Sequence, residues 1–110
     1  MLNFYGIKNC HSVKKSQEFL KNEKIEFEFF DIKKLDEKTF DFWIGKRNII
    51  DFVNTAGITA KKIGLNKEKL TYLSKDELKQ VILNNPSCIK RPVIEFQGKI
   101  YIGKEYESLK

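Results

Sequence analysis

The stretch LNFYGIKNCHSVKKSQEFLKNEKIEFEFF, residues 2–30, decides the fold. Apolar residues alternate with other residues at both of its ends, which predicts a short strand ending at Gly6 and a second strand over residues 25–32. Between the strands, Ser12 is the predicted N-cap of a helix that reaches about residue 23. A strand, a helix and a strand within about 30 residues form a βαβ unit, whose right-handed crossover makes the two strands parallel.

The pattern becomes helical after this unit, from residue 36 to about residue 85. IIDFVNTAG, residues 49–57, predicts a short helix closed by Gly57. Ser74 and Glu77 have the S-x-x-E spacing of a capping box, which predicts the start of another helix. We find no strand pattern in this segment, so we expect it to be all-helical.

The end of the chain returns to strand patterns. PVIEF and IYI flank a turn at Gln97-Gly98, which predicts a β-hairpin, and the tail has room for one short helix. A βαβ half followed by a ββα half predicts an α/β, thioredoxin-like fold with a four-stranded mixed sheet. The helical segment, about residues 36–85, is then an insertion between the halves of a single domain over residues 1–110.

The net charge of +6 comes mostly from lysine, since only Arg47 and Arg91 among 21 basic residues are arginines. A basic surface can attract nucleic acid or an acidic partner. Here the lysines are scattered and interleaved with acidic residues, which favours a solvated surface over a nucleic-acid site.

The composition also bears on the compartment of the protein. No apolar run approaches the ~20 residues of a membrane span, and the first residues lack the pattern of a signal peptide. Two cysteines, Cys10 and Cys88, are too few for a disulfide scaffold and form no metal-binding motif with the single histidine. We therefore expect a cytoplasmic protein without metal or bound cofactor, and nothing in the sequence requires more than a monomer.

Cys10 lies in the loop between the first strand and the first helix, where a reactive thiol or an incidental half-buried cysteine are both conceivable. The first turn of a helix has unpaired N–H groups and partial positive charge, which lower the pKa of a thiol below ~8.5. Asn9 and Ser12 can donate hydrogen bonds to a thiolate or a bound oxyanion. His11 is a candidate base, although adjacent side chains in a loop often point apart. The location favours the reactive thiol.

A second candidate feature is IKRPVIEF, which begins the predicted hairpin. The bond before Pro92 tolerates the cis form, and a proline at the start of a strand does not donate to the sheet. Arg91 offers a planar, permanently charged group suited to an anion or a thiolate. Arginine is rare in this chain, which favours a functional role for Arg91.

These segments, together with FVNTAGITAKKIGL, resemble the arsenate reductase (ArsC)/Spx family, and most closely its YffB-like branch. The resemblance runs from Leu2 to about Gly103. It implies a thioredoxin-like fold with a helical insertion and a cis Pro92. It also implies that Cys10 is the nucleophile and that Arg91 holds an oxyanion or a thiolate near it.

The chain departs from the family pattern at three places. Ala56 occupies the position of a family arginine, for which Lys61 and Lys62 are the nearest candidate substitutes in sequence. A further arginine, expected after the last strand, is absent. Bidentate arginine contacts do most to hold a doubly charged oxyanion, so these losses disfavour efficient arsenate reduction. Val13 replaces the second cysteine of the CxxC switch that Spx regulators carry.

The resulting hypothesis is a thiol-dependent oxidoreductase with glutathione as co-substrate and a disulfide or small oxyanion as substrate. Cys88 is interpreted as a core residue, so no internal thiol resolves a mixed disulfide. One alternative is a noncatalytic binding protein, like the Spx regulators that contact RNA polymerase. Another is an arsenate reductase linked to glutaredoxin.

Overall fold

The computed structural model describes residues 1–109, which form two compact units. The first unit consists of Met1–Lys34 and the segment from Arg91 onward. The second unit is Leu35–Lys90, so it is inserted in the sequence between the two parts of the first. In the described residues, every helix is too short or too polar to span a bilayer.

A four-stranded mixed sheet organises the first unit. Its strands are β1 (Leu2–Gly6), β2 (Phe27–Asp31), β3 (Val93–Phe96) and β4 (Lys99–Ile102); helix α1 (His11–Asn22) connects β1 to β2, and the 3-10 helix Gly103–Ser108 follows β4. The strand order is β2-β1-β3-β4, in which β1 and β2 are parallel and the other two neighbouring pairs are antiparallel. This is the predicted thioredoxin-like α/β arrangement.

The core of the first unit lies between α1 and the sheet. Alternation along β1 buries Leu2 and Phe4 completely, and the face of α1 that packs on them presents Val13 and Leu20. Full burial of one such side chain contributes roughly 1.5–3 kcal/mol to folding. Ser16 lies in the middle of this face and is fully buried.

The hairpin turn is as predicted. Gln97 and Gly98 have φ angles of 52° and 76°, and two consecutive residues with positive φ are typical of the type I′ turn. This turn matches the twist of the strands it joins, β3 and β4.

Two predicted boundaries around α1 are wrong. The N-cap is Cys10, and Ser12 is the second helical residue. The second strand begins at Phe27, because the backbone N–H of Ile25 donates to the carbonyl of Leu20 at 2.9 Å and closes the helix. Lys24, with φ of 58°, provides the left-handed residue that this closing motif requires.

Helices make up most of the second unit, as predicted. Asp36 caps the first of them by accepting from the Thr39 N–H at 2.8 Å, and both arms of the Ser74–Glu77 capping box are formed. The helices are α2 (Glu37–Lys46), α3 (Ile58–Lys62), α4 (Lys67–Tyr72) and α5 (Lys75–Asn84), with 3-10 helices at Ile49–Phe52 and Pro86–Cys88.

The segment between α2 and α3 differs from the prediction of one helix closed by Gly57. Its 3-10 helix ends at Phe52, and Gly57 is instead the N-cap of α3. The cause is an isolated antiparallel bridge between Val53 and Ile89, next to a 2.7 Å hydrogen bond from the Lys90 N–H to the Phe52 carbonyl. This pairing holds the backbone extended and ends the helix.

Two sets of contacts hold the second unit together. Phe40, Trp43 and Phe52 are fully buried and pack their rings on one another, with the Trp43 and Phe52 rings stacked 5.7 Å apart. On the surface, the Lys79 ammonium of α5 lies 2.7 Å from carboxylate oxygens of both Glu37 and Asp41 of α2. The second contact fixes α5 against α2.

Candidate thiol site

The thiol of Cys10 lies at the N-terminus of α1. Cys10 has extended backbone angles, and its carbonyl accepts the first helical hydrogen bond, from the Lys14 N–H at 3.0 Å. Its side chain is half-buried against the core of the first unit. The Sγ atom lies 3.3 Å from the Oγ atom of Ser12, the second residue of the helix.

The pKa of Cys10 is lowered to about 7 by the surrounding groups. Partial burial acts against this, because it disfavours the charged thiolate. Three groups favour the thiolate and together outweigh the effect of burial: the Ser12 hydroxyl, the backbone N–H of Val13 and the Arg91 guanidinium. Arg91 acts both by hydrogen bonding and by its charge. The neutral thiol makes no capping hydrogen bond, so the N–H of Val13 acts mainly on the charged form. The thiolate is therefore more populated near neutral pH than it is for an ordinary cysteine.

Two residues near Cys10, Asn9 and Gly6, determine how the chain passes from β1 into α1. Asn9 has a φ of 64°, a left-handed conformation that asparagine tolerates and that turns the chain into α1. A Cβ on Gly6 would lie only 3.0 Å from Cγ2 of Val13. Gly6 thus allows the first turn of α1 to approach the end of β1 closely.

The Arg91 guanidinium acts on the Cys10 thiol from the segment that precedes β3. In the antiparallel pairing of β1 with β3, Tyr5 lies opposite Val93, so the end of β1 and the start of β3 meet at one edge. Arg91 and Pro92 immediately precede β3 and are joined by the cis peptide bond that the resemblance implied. Pro92 is buried, and its carbonyl accepts from the Gly103 N–H at 2.9 Å.

The structure brings only some of the predicted site residues into interaction with one another. Cys10, Ser12 and Arg91 act on one another, whereas Asn9 and His11 are exposed and are not among the groups that shift the pKa of Cys10. Within residues 1–109, no cluster of side chains has the composition of a metal site.

Ser16 supports the site and was missed by the sequence reasoning. It is fully buried, and its hydroxyl donates to the carbonyls of Ser12 and Val13 at 3.0 and 2.8 Å. It therefore braces the turn that carries the groups facing Cys10. The sequence does contain a signal for this role. Ser16 lies four residues after Ser12 and three residues after Val13, the spacings at which a helical hydroxyl bonds back to backbone carbonyls.

The remaining candidates lie in the second unit. Cys88 is buried, with 1% of its surface exposed, which confirms its interpretation as a core residue. Ala56, Lys61 and Lys62 are exposed around the start and end of α3.

The first unit thus combines a thioredoxin-like sheet with a half-buried cysteine at the N-terminus of its first helix. Comparison with known proteins then identifies the family. The model of the ArsC family matches residues 5–110, so the chain belongs to the ArsC family.

Three similar proteins illustrate the range of the family. The structure of a protein named YFFB has a TM-score of 0.84 at 29% identity and covers 98% of this chain and 95% of its own. A possible arsenate reductase from Streptococcus mutans has a TM-score of 0.81 at 31% identity, covering 99% and 97%. The regulatory protein MgsR of Bacillus subtilis is 26% identical over 93% of this chain and 82% of its own length.

Proposed function

We propose that this protein is a thiol-dependent oxidoreductase of the ArsC family, with Cys10 as the nucleophile and glutathione as the co-substrate. The observation that carries the proposal is the grouping of Ser12, the Val13 N–H and Arg91 around a half-buried thiol whose pKa is about 7. Thiolates, not thiols, attack disulfides, and a thiol with a pKa near the ambient pH is the most effective attacking group.

The chemistry is two consecutive thiol–disulfide exchanges. The Cys10 thiolate attacks one sulfur of a substrate disulfide, forms a mixed disulfide and releases the other half as a thiolate. A glutathione thiolate then attacks the substrate-derived sulfur of the mixed disulfide, which restores the Cys10 thiolate and gives a glutathione-containing disulfide. These two steps exchange one glutathione thiolate for one substrate thiolate. A second glutathione thiolate then attacks the glutathione-containing disulfide, which gives glutathione disulfide and completes the two-electron reduction of the substrate. No resolving thiol of the chain is needed.

The other site residues have supporting roles in this proposal. Arg91 stabilises the Cys10 thiolate and binds an anionic substrate group, and Pro92 shapes the adjacent groove. Asn9, His11 and Ser12 line the substrate side of the loop and offer hydrogen bonds to an oxyanion or a peptide-like disulfide. The proposal places the protein in the cytoplasm, where thiols are kept reduced and glutathione or glutaredoxin supplies electrons.

The test is reduction of a small glutathione mixed disulfide, coupled to glutathione reductase and NADPH. We expect turnover by the protein and a covalent Cys10–glutathione adduct detectable by mass spectrometry. Cys10→Ser should abolish both, while Cys88→Ala serves as the matched control and should retain the adduct. Turnover that persists in Cys10→Ser would refute the proposal.

A second candidate is a regulatory protein that binds RNA polymerase without catalysis, favoured by the similarity to MgsR. In that case affinity capture should recover polymerase subunits, and Cys10→Ser should not change the recovery. Recovery of no polymerase subunit would exclude this candidate.

A third candidate is a glutaredoxin-linked arsenate reductase, favoured by the similarity to the Streptococcus mutans protein. The alanine at position 56 weakens this candidate, because the family pattern has an arginine there. Arsenate reduction coupled to glutaredoxin tests it, beside an active reference enzyme. A flat trace would remove this candidate and leave the disulfide exchange reaction standing.

A further inference from the structure

The second unit carries a set of exposed apolar side chains that the thiol chemistry does not use. Among residues 1–109, five large hydrophobic residues are exposed, and four of them belong to this unit: Phe42, Ile50, Ile58 and Tyr72. Isolated exposed hydrophobic residues are ordinary, but a contiguous apolar surface indicates a binding site.

Two grooves of the second unit make such a surface around Ile50. The first has a volume of about 470 Å³ and the second about 550 Å³, and both are lined by Ile50 and Leu70. They are therefore adjoining parts of one surface, which we call the basic trough. We call its aliphatic lining the floor: in the first groove it consists of Ile44, Ile49, Ile50, Leu70, Leu73 and Leu78, and the second groove adds Val53 and Ala56.

The rim of the basic trough is positively charged. Lys46, Arg47 and Lys75 line the first groove, and no carboxylate is among its described lining residues. Lys67 and Lys90 line the second groove together with Asp51, whose carboxylate lies 3.6 Å from the Arg47 guanidinium. This pair adds no net charge, so the positive charge of the rim comes from Lys46, Lys75, Lys67 and Lys90. An apolar floor within a cationic rim is complementary to apolar side chains flanked by carboxylates.

We propose that the basic trough binds an acidic segment of a partner protein, which inserts apolar side chains into the two adjoining grooves. Two grooves in a row suit successive anchors of one peptide segment. The floor has aliphatic side chains and no aromatic platform for stacking bases, which disfavours single-stranded nucleic acid. The proposal does not depend on Cys10.

The probe for this proposal is a labelled synthetic peptide of about twelve residues, with leucines at helical spacing and glutamates elsewhere. One control peptide replaces every glutamate by glutamine, and another replaces every leucine by serine. We expect saturable, salt-sensitive binding of the acidic leucine peptide by fluorescence anisotropy, and at least about tenfold weaker binding of both controls.

Two variants place the site on the protein. Lys75→Glu and Ile50→Asp should each weaken binding about tenfold or more. Lys61→Glu and Ile58→Asp are matched controls, because they alter an exposed lysine and an exposed isoleucine of the same unit outside the trough, and they should stay within about twofold. An acidic residue at the first position of α5 favours the helix, so a loss in Lys75→Glu does not come from unfolding.

Several outcomes would overturn the proposal. They are equal binding of the glutamine peptide, an equal loss in Lys61→Glu, or binding that Ile50→Asp leaves unchanged. Self-association of the protein that Ile50→Asp abolishes would assign the trough to a second copy. The acidic leucine peptide should still bind to Cys10→Ser. The peptide-binding proposal and the proposed oxidoreductase activity can therefore fail independently of each other.

Discussion

The Oγ atom of Ser12 lies 3.3 Å from the Sγ atom of Cys10, two residues before it in the chain. Cys10 is the N-cap of α1 and Ser12 its second residue, so both groups lie where the helix presents unpaired N–H groups. The hydroxyl can donate to a thiolate but gains little from a neutral thiol. This pair therefore stabilises one protonation state of Cys10, and that selectivity can be measured.

The first prediction concerns the pH dependence of Cys10 alkylation. Because the thiolate reacts and the pKa of Cys10 is about 7, the rate with iodoacetamide should rise with pH and reach half its maximum near pH 7. Cys10→Ser should remove this reaction, since Cys88 is buried and should not react in the native protein. A midpoint at the ~8.5 of a free thiol would contradict the described environment.

Ser12→Ala should raise the pKa of Cys10 and slow its alkylation at neutral pH. The hydroxyl is the largest of the groups that favour the thiolate, and loss of a hydrogen bond to a charged group in this exposed position should cost about three- to tenfold in rate. Ser108→Ala is the matched control, since Ser108 is also exposed but bonds to the Glu105 carbonyl. Equal rates for Ser12→Ala and the native protein would show that the hydroxyl does not act on the thiolate.

Replacement of Arg91 separates charge from hydrogen-bond geometry. Arg91→Gln removes both and should raise the pKa of Cys10, whereas Arg91→Lys keeps the charge and should raise it less. Ultraviolet absorbance of the thiolate, followed against pH, measures the three pKa values. High salt should reduce the differences in the pKa of Cys10 between the native protein and the two variants, because salt screens the charge of Arg91. Identical titrations for Arg91→Gln and the native protein would remove Arg91 from the site.

The sequence was sufficient for the sheet, the hairpin and the position of the thiol, because each depends on local patterns. Alternation defines β1, and Gln97-Gly98 defines the turn. It was insufficient where distant residues decide the local structure. The bridge from Val53 to Ile89 ends a helix that residues 49–57 alone favour.

The candidate site shows the same division. That a cysteine at a helix start would be activated followed from helix chemistry, and the partner Arg91 followed from the family resemblance. The role of His11 stays a prediction: its side chain is exposed, and its direction depends on where the helix begins, which is two residues before the predicted position. Ser16 was overlooked because a polar residue on the buried face of a helix breaks the apolar pattern.

The last prediction concerns the close approach of α1 to β1. A Cβ at Gly6 would lie 3.0 Å from Cγ2 of Val13 and 3.1 Å from the Phe4 ring, both in the packed core. Gly6→Ala should therefore lower the free energy of unfolding by about 1–3 kcal/mol. It should also slow alkylation of Cys10, because it displaces the first turn of α1. Urea denaturation and the alkylation rate measure the two effects.

The clash itself can be tested with a double-mutant cycle. Val13→Ala removes the atoms that the new Cβ would meet. The loss of unfolding free energy caused by Val13→Ala should therefore be about 1 kcal/mol smaller in the Gly6→Ala background than in the native protein. Gly45→Ala is the matched control: its Cβ would meet nothing within 4 Å, and within α2 alanine should stabilise by up to ~1 kcal/mol. Additive losses in the Gly6–Val13 cycle would show that Gly6 is required for its backbone conformation and not for the room it leaves for α1.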